Sequence, residues 1–337
     1  MYSFKDDYLQ LCHEKILNDL QNISKIQFEG YGLDSVSEQA QELIRKRFAL
    51  GSADIHFLSG GTQTNLVFIH SALSPVEAVI AADSGHICVH ECGAIESCGN
   101  KILHVQNYNG IISVHDIEAV FKSHVDEHMV KPKLVYISQA TEKGTVYTKE
   151  ELKSLYHMCK KLGLYLYIDG ARLGTALASE GTDIKPQDMA KLCDVFYIGG
   201  TKNGSPLGEA LCIINDNLKK DFRYYLKQNG AMPAKGALIG SCFKTLFTGD
   251  LYFELAGHSN RIAQKLSKAF TAKGYKLSCS TQANMIFPIL KNEKIKELEK
   301  HISFHIWDKV DDNSTVIRLV CGWATDEKEA DKLIEML

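Results

Sequence analysis

The sequence predicts an α/β protein: a large, mostly parallel sheet with helices on both faces, followed by a smaller α/β domain. Three observations lead there. Short runs of β-branched and aromatic residues alternate with stretches at helical spacing between residues 54 and 214. These runs are apolar on successive residues, as befits strands buried on both faces. Two of them, LYLYIDGARLG at 164–174 and FYIGGTKNG at 196–204, end abruptly in glycine plus one charged side chain, Asp169 and Lys202. Ligands in such sheets sit at the carboxyl ends of the strands.

In chain order, residues 8–23 carry Leu9, Ile16, Leu17 and Leu20 at helical spacing, and a glycine turn, EGYGLD at 29–34, leads to a second helix ending at Phe48. DIHFLSGGT at 54–62 reads as a short strand that breaks on Gly60 and Gly61, with a helix over 63–73 behind it. A strand, a glycine turn and a helix opening near Thr62 make an anion cradle, since unpaired N–H groups and the helix dipole face the ligand; an ordinary helix cap has the same pattern. Strands are expected at 78–82, 101–105 and 134–138, with helices around Ile95 and at 115–124. The helix over 149–162 opens on Thr148, with Glu151 completing a capping box. Strands at 164–168, 195–198 and 210–214 follow. Residues 235–273 read as one long helical region. Beyond it, strands at 284–290, 303–306 and 316–320 alternate with helices at 291–300 and 326–336. The boundary is soft: a large domain over 1–248 and a small C-terminal domain over 249–337, bridged by the helix near 250–273.

The 337 residues exceed one small core, and 45% apolar with 23% charged residues is the balance of an ordinary soluble globular protein. A net charge of -3 argues against a nucleic-acid partner. No window holds the roughly eighteen apolar residues of a membrane span, and MYSFKDDYLQ is polar and acidic, so no membrane association and a cytoplasmic location are expected. The 10 cysteines include no CxxC pair, and several lie in apolar runs such as 210–214, which reads as reduced and structural. His86, His90, Cys92 and Cys98 are metal-ligand types at a spacing that matches no common zinc pattern, so no metal is expected.

The chemistry centres on Lys202 and Asp169. Lys202 would be an ordinary solvated charge were it not for the preceding run FYIGG, which buries it; burial favours the neutral amine that a Schiff base requires. Asp169 ends an apolar strand, where a carboxylate is costly unless paired. It is either an N-cap for the next helix or a partner for a buried cation. A lysine and an acid at neighbouring strand ends suit pyridoxal 5'-phosphate, which needs an amine for the Schiff base and an acid at its ring nitrogen. Arg172, three residues on, can grip a carboxylate bidentately. Arg318, inside the apolar run 316–320, is hard to explain as a surface charge.

Over nearly its whole length the chain resembles the threonine aldolase and β-eliminating lyase family of pyridoxal phosphate enzymes. The resemblance lies in GYGLD at 30–34, SGGTQTN at 59–65, DSGHICVHECGAIE at 83–96, YIDGARLG at 167–174, TKNGSPLG at 201–208 and IRLVCGWAT at 317–325. It implies the aspartate aminotransferase-like fold of PLP-dependent transferases, with a seven-stranded type of sheet in the large domain. It implies a Schiff base on Lys202, Asp169 beneath the pyridinium, and His86 stacked on the ring, the plain alternative being a turn histidine satisfied by backbone. Gly60, Gly61, Thr62 and Thr201 would hold the phosphate, and Arg172 and Arg318 the substrate carboxylate. Tyr31 would reach a site across a dimer interface, so a homodimer or homotetramer with shared sites is implied.

Two positions depart from the family. Asp6, in FKDDY at 4–8, stands where a small hydroxyl residue commonly helps hold the substrate carboxylate, and an acid there repels a carboxylate unless a cation intervenes. ISQATE at 137–142 replaces the histidine that handles the β-hydroxyl, leaving Glu142 as the base if its pKa is raised. The implied reaction is retro-aldol cleavage of a β-hydroxy-α-amino acid such as L-threonine or allo-threonine to glycine and an aldehyde, with Glu142 or His86 taking the hydroxyl proton. One alternative is β-elimination from a cysteine- or serine-type substrate with Lys202 as proton acceptor. Another is a cofactor-binding protein without turnover. No GxGxxG follows the first strand, which argues against a dinucleotide site.

Overall fold

The computed structural model describes residues 1–107 and 109–337. Its central sheet has 7 strands in the spatial order Asp54–Leu58, Glu209–Ile213, Val195–Gly199, Tyr165–Asp169, Lys131–Ser138, Glu77–Ala82 and Lys101–Val105. Neighbours are parallel except at Glu209–Ile213, which is antiparallel to both strands beside it. The mostly parallel sheet read from the sequence is therefore present, with one reversed strand inside it.

The two-sided apolar runs have a direct structural counterpart. Side chains alternate across a strand. Leu134 and Tyr136 pack with Val67, Phe68 and Ile69 of the helix Gly61–Ala72, while Val135 and Ile137 pack with Ile117, Leu152 and Leu155 of the helices Val114–Ser123 and Lys149–Leu162. Each fully buried side chain of this kind contributes roughly 1.5–3 kcal/mol, so the register of every strand is fixed from both sides. The capping box of Thr148 and Glu151 forms as expected.

A second sheet is antiparallel and lies late in the chain. Ser314–Val320 is its axis, paired with Met285–Ile286, Pro288–Lys291 and His305–Lys309, and Lys276–Leu277 adds to Pro288–Lys291. Ile286, Leu290, Ile317 and Leu319 pack there with Ile262, Leu266 and Phe270 of the helix Leu251–Ala272 and with Ala330 and Leu333 of Glu327–Met336.

Three expectations need correction. The first helix spans Glu14–Ile23, with His13 Nδ1 accepting the Lys15 N–H at 3.2 Å, and does not begin at residue 8. The preceding residues are drawn away because Tyr2–Ser3 pairs in parallel with Ile302–Ser303 and Phe4 is buried in the core under the second sheet. The helical region 235–273 is two helices, Ala237–Phe247 and Leu251–Ala272, parted at Gly249, whose φ of +73° ends the first. The strand expected over 284–290 is split in two around Phe287, before a proline that lacks a ladder donor.

Candidate active site

The ends of three adjacent parallel strands converge on one cleft of about 270 Å³. Ser138 and Asp169 are paired neighbours at two of these ends, and Gly199 closes the third. The two segments that deliver Asp169 and Lys202 cross in direct backbone contact. A Cβ on Gly170 would lie 1.7 Å from the Tyr197 carbonyl oxygen, and one on Gly199 would lie 2.2 Å from that of Ala171. Only glycine fits at these crossings. Lys202, Asp169, His86, Glu142, Arg172, Thr201, Gly60, Gly61 and Thr62 all line the cleft.

Lys202 is held below its ordinary pKa by burial and by the nearby Arg172 charge, which favours a nucleophilic neutral amine. Asp169 is 4% exposed and receives the Ala171 N–H at 3.0 Å, Asn65 Nδ2 at 3.1 Å and the Tyr136 hydroxyl. The helix that follows is Leu173–Leu177 with Arg172 at its N-cap position, so the cap alternative for Asp169 does not hold.

His86 begins the short helix His86–Val89, and its Nδ1 lies 2.7 Å from Glu91 Oε1. Its backbone N–H reaches Glu142 Oε1 at 3.1 Å, and the same oxygen accepts the Ser138 hydroxyl at 2.6 Å. Burial raises the Glu142 pKa against the opposing pull of the Ser138 bond. Among the described residues no group of three or more His, Cys, Asp and Glu side chains converges as a metal site.

The anion cradle is formed by the N-terminus of the helix Gly61–Ala72, which has Gly60 at its cap and no capping side chain. Its first-turn N–H groups therefore lack intrahelical acceptors. Thr201 lines the same cleft, with its hydroxyl buried near the Glu209 carboxyl. An uncapped helix start, a buried hydroxyl and a lysine and aspartate in the same cleft match the phosphate, amine and ring-nitrogen requirements of pyridoxal phosphate.

The arginines are both engaged by acids. Arg172 donates from Nε and Nη2 to Asp7 at 2.7 and 3.2 Å, and Asn284 Nδ2 adds a bond to Asp7 at 2.9 Å. Burial works to raise the Asp7 pKa, but the Arg172 and Lys202 charges outweigh it and hold the carboxyl below its usual range. Arg318 reaches Asp6 from Nη2 at 3.2 Å, lies 4.7 Å over the Trp307 ring, and keeps its Nε buried without a partner among the described residues. Tyr31 does not line this chain's own cleft; it is 45% exposed with the Lys227 ammonium 4.6 Å from its ring centroid.

The family described as "Beta-eliminating lyase" matches residues 24–293. The chain belongs to that family. As a β-eliminating lyase family member it is a pyridoxal phosphate-dependent enzyme. A low specificity L-threonine aldolase from Pseudomonas aeruginosa is 31% identical over 299 residues, covering 88% of this chain and 85% of that one. The structure of a Leishmania major threonine aldolase superposes with a TM-score of 0.98 at 45% identity, covering 99% and 98% of the two chains. An aspartate aminotransferase from Thermus thermophilus shares the fold at 15% identity with a TM-score of 0.72, covering 99% of this chain and 89% of its own. The aspartate aminotransferase-like fold expected from the resemblance is thus the fold of this lyase.

Several residues in or behind the cleft carry little sign in the sequence. In FKDDY the structure turns Asp7 to Arg172 and Asp6 to Arg318, a division that two adjacent acids do not reveal. Glu91 and Asn65 carry no local sign beyond their places five residues after His86 and in the cradle helix. Glu209 opens a buried strand, and a carboxyl there signals a site as Asp169 does; it accepts the Gly200 N–H at 3.0 Å, and burial pushes its pKa up to about 8.

Proposed function

We propose that this lyase cleaves β-hydroxy-α-amino acids of the threonine type to glycine and an aldehyde, with Lys202 holding pyridoxal phosphate as a Schiff base. The observation that carries the reading is one cleft lined by a lysine of depressed pKa and a buried, multiply bonded aspartate from neighbouring strand ends. The threonine aldolase relatives give it a substrate class. When bound, the cofactor supplies an electron sink that weakens bonds at the substrate Cα.

The residues divide the remaining work. Asp169 would pair with the cofactor's ring nitrogen, and Gly60, Gly61, Thr62 and Thr201 would hold its phosphate. His86 would stack on the ring. His86 and Glu142 are the two groups placed to take the β-hydroxyl proton; the raised pKa of Glu142 strengthens it as a base. Arg172 and Arg318 orient the α-carboxylate, with Asp6 beside Arg318 in the same subsite. Tyr31, turned away from its own cleft, serves the site of a second copy in a homodimer or homotetramer. The 10 free cysteines support a reducing, cytoplasmic location.

The test is to incubate the protein and its Lys202→Ala variant with pyridoxal phosphate and L-threonine or L-allo-threonine. Visible cofactor absorption lost in the variant, with acetaldehyde and glycine formed by the wild type, supports the reading. Formation of 2-oxobutyrate and ammonia in their place assigns β-elimination. Absence of visible absorption from the wild type overturns the Schiff base on Lys202.

A further inference from the structure

Behind the cleft, His86, Glu91, Asn65 and Asp169 form one hydrogen-bonded chain. Glu91 Oε1 lies 2.7 Å from His86 Nδ1 and accepts from Asn65 Nδ2, also at 2.7 Å. The same Asn65 Nδ2 donates to Asp169 Oδ2 at 3.1 Å, and Asn65 Oδ1 accepts the Tyr167 hydroxyl at 2.7 Å. The Glu91 side chain is fully buried, while that of His86 is 32% exposed and lines the cleft.

Neighbouring groups fix every proton in this chain. Between two carboxyl groups the Asn65 amide must present its NH₂ group, and the Tyr167 hydroxyl then meets its oxygen. Glu91 Oε1 is therefore an acceptor toward Asn65. An acceptor oxygen 2.7 Å from a ring nitrogen needs a hydrogen between them, so His86 carries its proton on Nδ1. Glu91 Oε2 has no partner among the described residues, so one oxygen makes both bonds.

We propose that Glu91 is a positioning residue: with Asn65 it fixes His86 as the Nδ1–H tautomer and ties that ring to Asp169, leaving Nε2 as the nitrogen that acts in the cleft. This rests on the reading of His86 as a cleft residue of the lyase. What His86 contributes, whether stacking or accepting the β-hydroxyl proton, then depends on a side chain that touches no reacting atom. The arrangement follows the logic by which a buried carboxylate sets the tautomer of a catalytic histidine.

The test uses Glu91→Ala, Glu91→Gln, His86→Asn and the Glu91→Ala/His86→Asn double variant. Imidazole ¹⁵N spectra of histidine-labelled protein without cofactor, with His86 assigned by its loss in His86→Asn, read the tautomer directly. Wild type and Glu91→Gln, whose amide oxygen can make both bonds, are expected to show Nδ1–H, and Glu91→Ala a shift toward Nε2–H. With cofactor and L-threonine, Glu91→Ala should lower kcat about tenfold to a hundredfold with KM little changed, Glu91→Gln should keep most of it, and Glu91→Ala should add nothing in the His86→Asn background. A wild-type tautomer or kcat in Glu91→Ala overturns the proposal. So does an added loss in the double variant, or a Glu91→Gln as impaired as Glu91→Ala. Glu91→Met, which keeps the volume, replaces Glu91→Ala if the smaller side chain does not fold. If the wild type turns over no amino acid, the proposed reaction fails and the spectra still decide the tautomer.

Discussion

The Asp6 carboxylate lies 3.2 Å from Arg318 Nη2, in the subsite proposed to take the substrate's own carboxylate. His305 Nε2 lies 3.3 Å from the same oxygen, so Asp6 bridges Arg318 and His305. An incoming carboxylate must compete with a resident one. Asp6→Ser removes the competitor and keeps a hydroxyl, so KM for L-threonine should fall about tenfold, the equivalent of roughly 1.4 kcal/mol, with kcat little changed. Steady-state kinetics on the variant checks this; a higher KM would mean that Asp6 assists binding.

Asp7 answers to stability as well as to the site. Asp7 is buried and Arg172 nearly so, and removing one partner of a buried pair typically costs about 3–5 kcal/mol. The Asp7 pKa is lowered in the folded state, so its contribution is complete above the ordinary carboxylate value of about 4 and is lost as pH falls through the folded value. Denaturant unfolding of Asp7→Asn should show a lower midpoint at neutral pH and a shallower loss of stability below about pH 4 than wild type.

Glu209 has the opposite sign. With a folded pKa of about 8, it stays protonated in the folded chain over a range where the unfolded chain has released the proton. Stability therefore falls as pH rises from about 4.5 toward 8, since the folded state holds the extra proton. Glu209→Gln lacks this dependence. Its unfolding midpoint without cofactor should gain on wild type steadily between pH 5 and pH 8, as denaturant titrations at a series of pH values would read.

The glycine crossing admits no side chain. Gly170→Ala places a methyl 1.7 Å from the Tyr197 carbonyl oxygen, and both backbones belong to core strands or their ends. The expected result is loss of soluble protein, or a melting temperature lowered by more than 10 °C, against a small change for alanine at Gly181, which meets nothing within 4 Å. Soluble yield and thermal unfolding distinguish the two.

What the sequence made legible was what local chemistry dictates. Strands buried on both faces show as unbroken apolar runs, and Asp169 and Lys202 stand out because a charge closes each run. Residues 8–13 misled because Leu9 joins the helical spacing, yet Tyr2–Ser3 pairs with residues at 302–303 and Asp7 turns inward to Arg172. Those partners lie hundreds of positions away, where no periodicity reaches. Glu91 was hidden for another reason: in a turn rich in glycine and cysteine, an acid reads as solvated, and only the fold reveals it as fully buried.

The cradle strand Asp54–Leu58 pairs only with Glu209–Ile213, at the far end of the large sheet's sequence. The turn at 59–62 therefore depends on a partner strand about 150 residues later in the chain. A chain ending just short of residue 209 would hold its lysine and aspartate while the strand that leads into the anion-binding turn had lost its partner.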